Sequence, residues 1–290
     1  MNILIIGVSG YVGQYLLNEL IRDSKHFVTG ISRSTMEECY SKNYLHVQAD
    51  ITREEWREQI IGQIDVVLYL AQSNQYRGFP SGTSDVFNVN ASSVLEVLEW
   101  SQKNQVKKFI YASTGNVYKS KNSAIDESDV CEPNTFYGAS KLCGELLCKQ
   151  FSSFFDVYIL RIFGVYGPDQ KNMMFPNIID AVRNSEKIIL AKGKGVLVTP
   201  LYITDLLNVL VQIIARSVSG LLEVLNVSGD EIISLGQLTK DVSKLLNIKP
   251  KIIIINQEPL CLIASNEKIK RVLQFEPQIS YNEGLALTLT

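Results

Sequence analysis

The chain has 290 residues, of which 46% are hydrophobic and 20% are charged, and its formal net charge is −2. This composition is typical of a globular protein with an ample core, in one large domain or two unequal ones, and it excludes a disordered chain. Lysine and arginine are scattered singly, so we expect no nucleic-acid partner. No apolar run approaches the roughly 20 residues that span a bilayer, so we expect no membrane partner.

The N-terminus and the cysteines bear on the cellular compartment. The opening MNILIIGVSG has no basic region and turns glycine-rich at once, which indicates a buried strand rather than a signal peptide. The cysteines are odd in number and form no C-x-x-C pair, which predicts reduced thiols in a cytoplasmic protein. They are Cys39, Cys131, Cys143, Cys148 and Cys261. Because His26 and His46 have no metal-ligand neighbour at a useful spacing, we expect neither a metal site nor a histidine base.

Short apolar runs alternate with amphipathic segments over the first 165 residues. Helical patterns lie between several of the runs, one after Gly13 and another from Val89 to Gln102. Strands that are apolar on both faces and alternate with helices predict right-handed crossovers and a parallel sheet. The predicted strands are NILIIG, HFVTGIS, YLHVQAD, DVVLYLA, KKFIYAS and VYILRIFG.

The alternation becomes irregular after residue 165. Ser234 and Gln237 resemble a capping box that opens a helix ending near Leu246, and KIIIINQ reads as the last strand. The sequence therefore predicts an α/β fold, a Rossmann-type doubly wound parallel sheet with a smaller C-terminal α+β domain. We expect the first domain at residues 1–165, rejoined by part of 200–228, and the second at 166–290.

Three glycines follow the first predicted strand and open the first helix. Gly7, Gly10 and Gly13 would allow a tight turn, a close backbone approach to a pyrophosphate, and close packing of helix on strand. The helix N-terminus adds free N–H groups and a positive dipole end. This context predicts a dinucleotide site in the first domain, although glycines can also serve a plain strand–helix turn.

The end of the second strand bears on which dinucleotide binds. An NAD-specific site places an acidic residue about 20 residues after the glycines to hold the ribose 2′-hydroxyl. Here Ser32 and Arg33 stand there, and a guanidinium can pair with a 2′-phosphate, which slightly favours NADP over NAD. Arg33 as a solvated surface charge is the alternative. Asp50 and Ile51, after the third strand, are expected beside the adenine.

Tyr137 and Lys141 lie four residues apart in FYGASK, so a helix would place both side chains on one face. Tyrosine ordinarily ionises near pH 10, and a neighbouring ammonium together with an oxidised nicotinamide would lower that pKa. The phenol could then exchange a proton with a substrate hydroxyl while hydride leaves the same carbon. Thr114, just past the fifth strand, could hold the substrate oxygen. Alone, such a pair is more often an exposed helical face.

In combination, these motifs resemble the extended short-chain dehydrogenase/reductases, the NAD(P)-dependent epimerase/dehydratase group. The resemblance runs in order over almost the whole chain, up to the tail NEKIKRVLQFEPQIS. The matching stretches are GVSGYVG, AD and IT at 49 to 52, YLAQ, NVNAS, STGNVY, YGASK and RIFGVYGP.

The resemblance implies roles for further residues. Thr114, Tyr137 and Lys141 would carry the chemistry on a sugar, usually nucleotide-linked, that is oxidised at a ring carbon to a transient ketone. It also implies a possible homodimer through helices near residues 89–102 and 137–152. The cofactor contacts that it implies are Tyr11 and Val12 at the pyrophosphate, and Leu70, Ala71, Asn88 and Phe163 along the ribose and nicotinamide.

Three departures from the family pattern narrow the activity. Gly115 and Asn116 replace the Asp-Glu that dehydratases carry after the threonine, so dehydration is not expected. Gly164 stands where many members have a substrate-facing asparagine. Thr199-Pro200 replaces an arginine that often pairs with the diphosphate, which leaves Lys192, Lys194 or backbone N–H groups for that contact.

Three functions follow from these residues. The first is an NAD(P)-dependent sugar epimerase or reductase, and the second is a reductase of a non-nucleotide carbonyl, which the missing arginines would suit. The third is a non-catalytic NAD(P)-binding sensor or scaffold. Because Tyr137 and Lys141 are both present, the third is the weakest.

Overall fold

The computed structural model describes residues 1–22, 25–36 and 41–290, so Cys39 lies outside the described residues. The strands are β1 (Asn2–Ile6), β2 (Phe27–Ser32), β3 (Tyr44–Gln48), β4 (Val66–Tyr69), β5 (Lys108–Thr114), β6 (Asp156–Ile162), β7 (Val165–Tyr166), β8 (Lys187–Ala191), β9 (Leu197–Val198), β10 (Leu201–Tyr202), β11 (Leu222–Val227), β12 (Ile233–Ser234), β13 (Lys251–Ile255) and β14 (Cys261–Leu262). The α-helices are α1 (Tyr11–Ile21), α2 (Thr83–Phe87), α3 (Ser93–Lys103), α4 (Phe136–Gln150), α5 (Met174–Arg183), α6 (Ile203–Ala215), α7 (Leu235–Leu246), α8 (Glu267–Leu273) and α9 (Tyr281–Leu289).

A seven-stranded sheet has the order β11-β6-β5-β4-β1-β2-β3. The pairs β1–β2, β2–β3, β1–β4 and β4–β5 are parallel. Strand order reverses between β1 and β4, so the loops after these strands diverge and leave a crevice at the carboxyl ends, where doubly wound sheets bind ligands. The predicted Rossmann-type sheet is confirmed.

The core of this sheet explains why the strands read as unbroken apolar runs. Residues 3–6 of β1 and all four residues of β4 are buried, because helices cover both faces. Helix α1 packs Leu16, Leu17 and Leu20 inward, as its 3.6-residue period requires. Trp56 and Trp100 meet edge to face on the same side, with ring centroids 5.5 Å apart.

The chain divides into two compact units. The first consists of Met1–Lys119, Val130–Arg161 and Leu207–Leu225, and the second of Ser120–Asp129, Ile162–Leu206 and Asn226–Thr290. The sequence placed residues 120–129 in the first domain, whereas long-range hydrogen bonds attach them to the second unit. The Ile125 N–H donates to Ile263 O at 2.9 Å, and Asn226 Nδ2 donates to Ile125 O at 2.9 Å.

The second unit contains small sheets and helices. Strands β12, β9 and β14 form one sheet, and β13 pairs in parallel with β8. β13 was predicted as the last strand, which is wrong, because β14 follows it. The Ser234 hydroxyl caps α7 by accepting from Gln237 N at 3.0 Å, but the Gln237 side chain donates to Asp241 instead of closing the capping box.

No helix among the described residues combines the length and the apolar character that crossing a membrane requires.

Candidate active site

The glycine turn after β1 is sterically fixed. Gly7 has φ +91°, and a Cβ there would lie 2.7 Å from Ala71 N. A Cβ on Gly13 would lie 2.4 Å from Gly7 O, so only glycine allows α1 to start this close to the strand. Helix α1 begins at Tyr11 after Gly10, and the first N–H groups of a helix have no carbonyl partner within it. Backbone donors and space therefore fit a pyrophosphate at this turn.

Ser32 and Arg33 differ in their surroundings. Ser32 is buried, and its hydroxyl donates to Ser34 O at 2.9 Å and lies 2.9 Å from His46 Nε2. Burial lowers the pKa of His46 below its usual value. Arg33 is exposed, and its backbone oxygen accepts from Gln48 Nε2 at 3.2 Å. Of the two, the arginine side chain is the one that faces solvent at the end of β2.

Asp50 and Ile51 follow β3. Burial acts to raise the pKa of Asp50, but hydrogen bonds from Thr52, with Arg33 and Arg53 nearby, outweigh it and hold that pKa below its usual value. Thr52 donates to Asp50 Oδ1 from its backbone at 3.0 Å and from its hydroxyl at 2.8 Å. Ile51 is buried in the core of the sheet. The carboxylate is thus held charged beside the β3 end.

The segment after β4 contains Leu70, Ala71 and Gln72. The Leu70 N–H donates to Ile6 O at 2.9 Å, which continues the strand pairing. The Ala71 backbone packs directly against Gly7. The Gln72 amide oxygen accepts a hydrogen bond from the Tyr137 hydroxyl at 2.8 Å. Sequence reasoning quoted Gln72 only as part of YLAQ, although a polar side chain at the carboxyl end of a parallel strand is a usable signal.

Helix α4 places Tyr137 at its first turn. Thr135 caps the helix by accepting from Gly138 N at 3.0 Å. A Cβ on Gly138 would lie 2.3 Å from Asn116 O, so glycine lets the helix start against the turn that follows Thr114. Burial raises the pKa of Tyr137 above its usual value, a hydrogen bond with Thr114 lowers it, and Tyr76 adds to the rise. The rise prevails, so the phenol is protonated in the protein alone.

Lys141 is 2% exposed and lies one helical turn beyond Tyr137. Its ammonium nitrogen donates to Ala112 O at 3.0 Å and to Ala71 O at 3.4 Å, and lies 5.0 Å from the Tyr111 ring centroid. Burial lowers the pKa of Lys141 to about 7. Burial dominates the pKa of Tyr137, so the lowering expected from the lysine does not prevail in this structure. The Lys141 ammonium is instead hydrogen-bonded to the Ala112 and Ala71 carbonyls.

Thr114 ends β5 and joins these groups. Its hydroxyl oxygen accepts from the Asn116 backbone N and from Asn116 Nδ2, both at 3.2 Å. The same hydroxyl is hydrogen-bonded to Tyr137. The structure therefore brings Thr114, Tyr137 and Lys141 together and adds Gln72 and Asn116, which sequence reasoning had not assigned to the site.

A pocket of about 520 Å³ adjoins the first turn of α4. Its wall contains Asn88, where a π-helical segment (Asn88–Ser92) begins. The rings of Phe79 and Phe136 stack with centroids 5.9 Å apart. Its lining residues are Phe79, Pro80, Thr83, Ser84, Phe87, Asn88 and Phe136. Aromatic walls with polar rims suit a ligand that has both apolar faces and hydroxyls.

The remaining predicted residues belong to the second unit. Phe163 is 4% exposed, and its N–H donates to Val227 O at 3.0 Å. Thr199 is buried, and its hydroxyl accepts from Ala264 N at 3.1 Å, so it supports the fold of this unit. Lys192 forms an ion pair with Glu258. One of the two lysines expected to contact a substrate diphosphate therefore already has an acidic partner.

A buried ion pair joins α4, beyond Tyr137 and Lys141, to β6. Arg161 Nη2 lies 2.7 Å from Glu145 Oε2, and its Nε donates to Oε1 at 3.0 Å. Ser113 donates to the same carboxylate at 2.5 Å. Glu145 lies one helical turn beyond Lys141, so the network joins α4 to β5 and β6 and fixes the spacing of the site. Among the described residues there is no group of three or more potential metal ligands.

Residues 3–228 match the model of the NAD dependent epimerase/dehydratase family. This chain is a member of that family. Its glycine turn, half-buried Tyr137 and buried Lys141 fit the dinucleotide that such enzymes use, so NAD(P) dependence is established at the level of the family.

Curated relatives of this family member span nearly its whole length. It is 27% identical over 312 residues to a protein from Bacillus subtilis (strain 168) named uncharacterized UDP-glucose epimerase YtcB, covering 98% of this chain and 96% of the relative. It is 27% identical over 316 residues to UDP-glucuronate 4-epimerase of Thermodesulfobacterium geofontis, covering 99% and 94%. Among solved structures, UDP-glucuronic acid 4-epimerase from Bacillus cereus in complex with UDP-glucuronic acid and NAD superposes with a TM-score of 0.90 at 25% identity, covering 99% and 98%.

Proposed function

We propose that this protein is an NAD(P)-dependent epimerase of a nucleotide-linked sugar. The observation that carries the proposal is that Tyr137 and Lys141, one helical turn apart on α4, both reach the chain just after β4, where they donate to Gln72 Oε1 at 2.8 Å and Ala71 O at 3.4 Å, beside the point where the strand order reverses. Relatives matched along their whole length are named as UDP-sugar epimerases, which supports this substrate class. Reduction of a non-nucleotide carbonyl is not favoured, because the matched relatives are named as enzymes of UDP-linked sugars.

Each residue has a separate task in this reaction. Thr114 holds the hydroxyl on the reacting ring carbon, and Tyr137 takes its proton and later returns one. NAD(P), which the glycine turn after β1 and the start of α1 would hold, would supply the reversible hydride acceptor for the ring carbon. Lys141, with its pKa lowered to about 7 by burial, changes charge near neutral pH and can thereby support ionisation of the phenol.

Dehydration is not supported by the residues after Thr114. Gly115 has no side chain, and the Asn116 amide donates to Thr114 at 3.2 Å. An amide exchanges no proton at neutral pH, so elimination of water lacks its acid and base here.

The preference for NADP rests on Arg33, the exposed cation at the end of β2. A 2′-phosphate would gain a bidentate partner there. Isothermal titration with NAD and NADP on Arg33→Ala and the parent protein tests this. The variant is expected to lose affinity for NADP about tenfold and to keep its NAD affinity.

A homodimer through α3 and α4 is part of the proposal. Leu146 on α4 is 52% exposed and Leu95 on α3 is 36% exposed, whereas Leu142 and Phe151 are half-buried. Light scattering at micromolar concentration is expected to give twice the 32.5 kDa chain mass for the protein and a single chain mass for Leu146→Glu. The cytoplasmic location stays a prediction.

The activity itself is tested with a panel of UDP-, dTDP-, GDP- and CDP-linked sugars. Interconversion of two sugars by NMR, with no net change in NAD(P)H absorbance, is the expected result. Stoichiometric consumption of NADPH would instead identify a reductase. A protein that binds NAD(P) and turns over nothing in the panel would support the sensor alternative and refute the enzyme proposal.

A further inference from the structure

Gln72 connects the end of β4 to the candidate catalytic tyrosine. Its amide oxygen lies 2.8 Å from the Tyr137 hydroxyl oxygen. The preceding carbonyl, Ala71 O, accepts from the Lys141 ammonium at 3.4 Å. Two consecutive residues thus contact both helix-borne groups, which fixes Gln72 relative to the tyrosine through the rigid end of a parallel strand.

The direction of the hydrogen bonds around Tyr137 follows from Asn116, whose backbone N–H and side-chain NH₂ can only donate. The Asn116 backbone N–H donates to Thr114 Oγ1, and Asn116 Nδ2 donates to the same oxygen, so both Thr114 lone pairs are used. The Thr114 proton is therefore free to be given to Tyr137. The phenol proton must then point elsewhere, and the acceptor at 2.8 Å is the Gln72 amide oxygen.

We propose that Gln72 is a positioning residue that stabilises the protonated Tyr137, so that the phenol carries its proton until it is given to a ketone oxygen. The ketone carbon would take a hydride from the reduced nicotinamide, the proton passes from Tyr137 Oη to the ketone oxygen, and Gln72 gains and loses no proton. A phenolate would face the amide oxygen with no proton between them, so the contact disfavours ionisation of Tyr137. This role rests on the proposed epimerase function, in which the ketone is the transient intermediate.

The test measures the pKa of the phenol directly, without turnover. A 3,5-difluorotyrosine at position 137, whose intrinsic pKa lies below that of tyrosine, is titrated by fluorine NMR in the protein as purified, at measured cofactor content. Gln72→Met removes the acceptor and is expected to lower the observed pKa by about 0.5 to 1 unit, the value of one hydrogen bond. Gln72→Glu places a carboxylate there and is expected to raise it by about 1 unit or more.

Controls and outcomes separate this role from a structural one. The matched variants Gln102→Met and Gln102→Glu change an exposed residue of α3 and are expected to leave the pKa within ~0.2 unit. Opposite shifts of the phenol pKa in the two Gln72 variants support the proposed role of Gln72. Equal pKa values in all variants, or shifts of one sign, overturn it. A protein that turns over no nucleotide sugar would refute the proposed function, while the titration would still decide the Gln72 contact.

Discussion

The Arg161 guanidinium and the Glu145 carboxylate form a bidentate pair, with nitrogen–oxygen distances of 2.7 and 3.0 Å and side chains only 3% and 0% exposed. The Arg161 guanidinium also lies 4.5 Å from the Tyr118 ring centroid. Because the pair is sealed from water, each charge depends on the other. It holds the helix that carries Tyr137 and Lys141 against β5 and β6.

Glu145→Ala is expected to lower the free energy of unfolding by about 3–5 kcal/mol, because it leaves a buried guanidinium without its counter-charge. Urea denaturation monitored by circular dichroism measures this. The matched control is Glu132→Ala, which breaks the exposed pair with Lys119 and should cost about 0–1 kcal/mol. Equal losses in the two variants would contradict the assigned role of the buried pair.

Tyr137→Phe removes the hydroxyl that contacts Gln72 and Thr114 and leaves the ring in place. We expect kcat to fall about 10²- to 10⁴-fold, the usual contribution of a general acid–base group, with cofactor affinity retained. Steady-state kinetics and titration calorimetry measure the two effects. Tyr158→Phe on β6 is the control for loss of a phenol outside the site, and a comparable loss of activity there would remove the support for Tyr137.

Lys141 should make stability depend on pH in the alkaline range. Its pKa is lowered from 10.5 to about 7, so between these values the unfolded chain binds the extra proton and stability rises with pH. Lys141→Met removes this dependence. The free energy of unfolding of the parent protein, relative to the variant, is therefore expected to increase from pH 7 to pH 10, with a slope of up to ~1.4 kcal/mol per pH unit.

The measurement is urea denaturation of both proteins at several pH values in that window. A difference that stays constant from pH 7 to pH 10 would show that the ammonium is not desolvated in the folded protein, contrary to its contacts with the Ala112 and Ala71 carbonyls.

Gly7→Ala should weaken cofactor binding and stability together. Gly7 has φ +91°, and its Cβ would meet Ala71 N at 2.7 Å, so backbone must move at the turn. Gly62 has φ +84° with no atom within 4 Å of a Cβ, which makes Gly62→Ala a control for the conformational strain alone. The control should cost about 1 kcal/mol, and Gly7→Ala clearly more, with at least about tenfold weaker NAD binding. Titration calorimetry measures the NAD affinity, and thermal melting measures the stability of both variants. Equal losses of stability in the two variants would show that strain alone, without steric overlap, explains the effect at Gly7.

Much of the fold could be predicted from the chain alone. Apolar runs of strand length between helical periods require a parallel sheet, and Gly7 and Gly13 mark a turn where a side chain would overlap the backbone. Spacing also selected Thr114, Tyr137 and Lys141, because a period of 3.6 residues puts the last two on one helix face. Local periodicity and local sterics are properties of the sequence, so these predictions needed no partner from elsewhere in the chain.

Other properties depend on residues far apart in sequence. The partner of Tyr137 is 65 residues away at Gln72, and residues 120–129 join the second unit through bonds to residues near 226 and 263. The pKa of Tyr137 is raised and that of Lys141 lowered, because burial removes the water that would stabilise each charge. Desolvation is set by what packs around a group, and only the tertiary structure decides that.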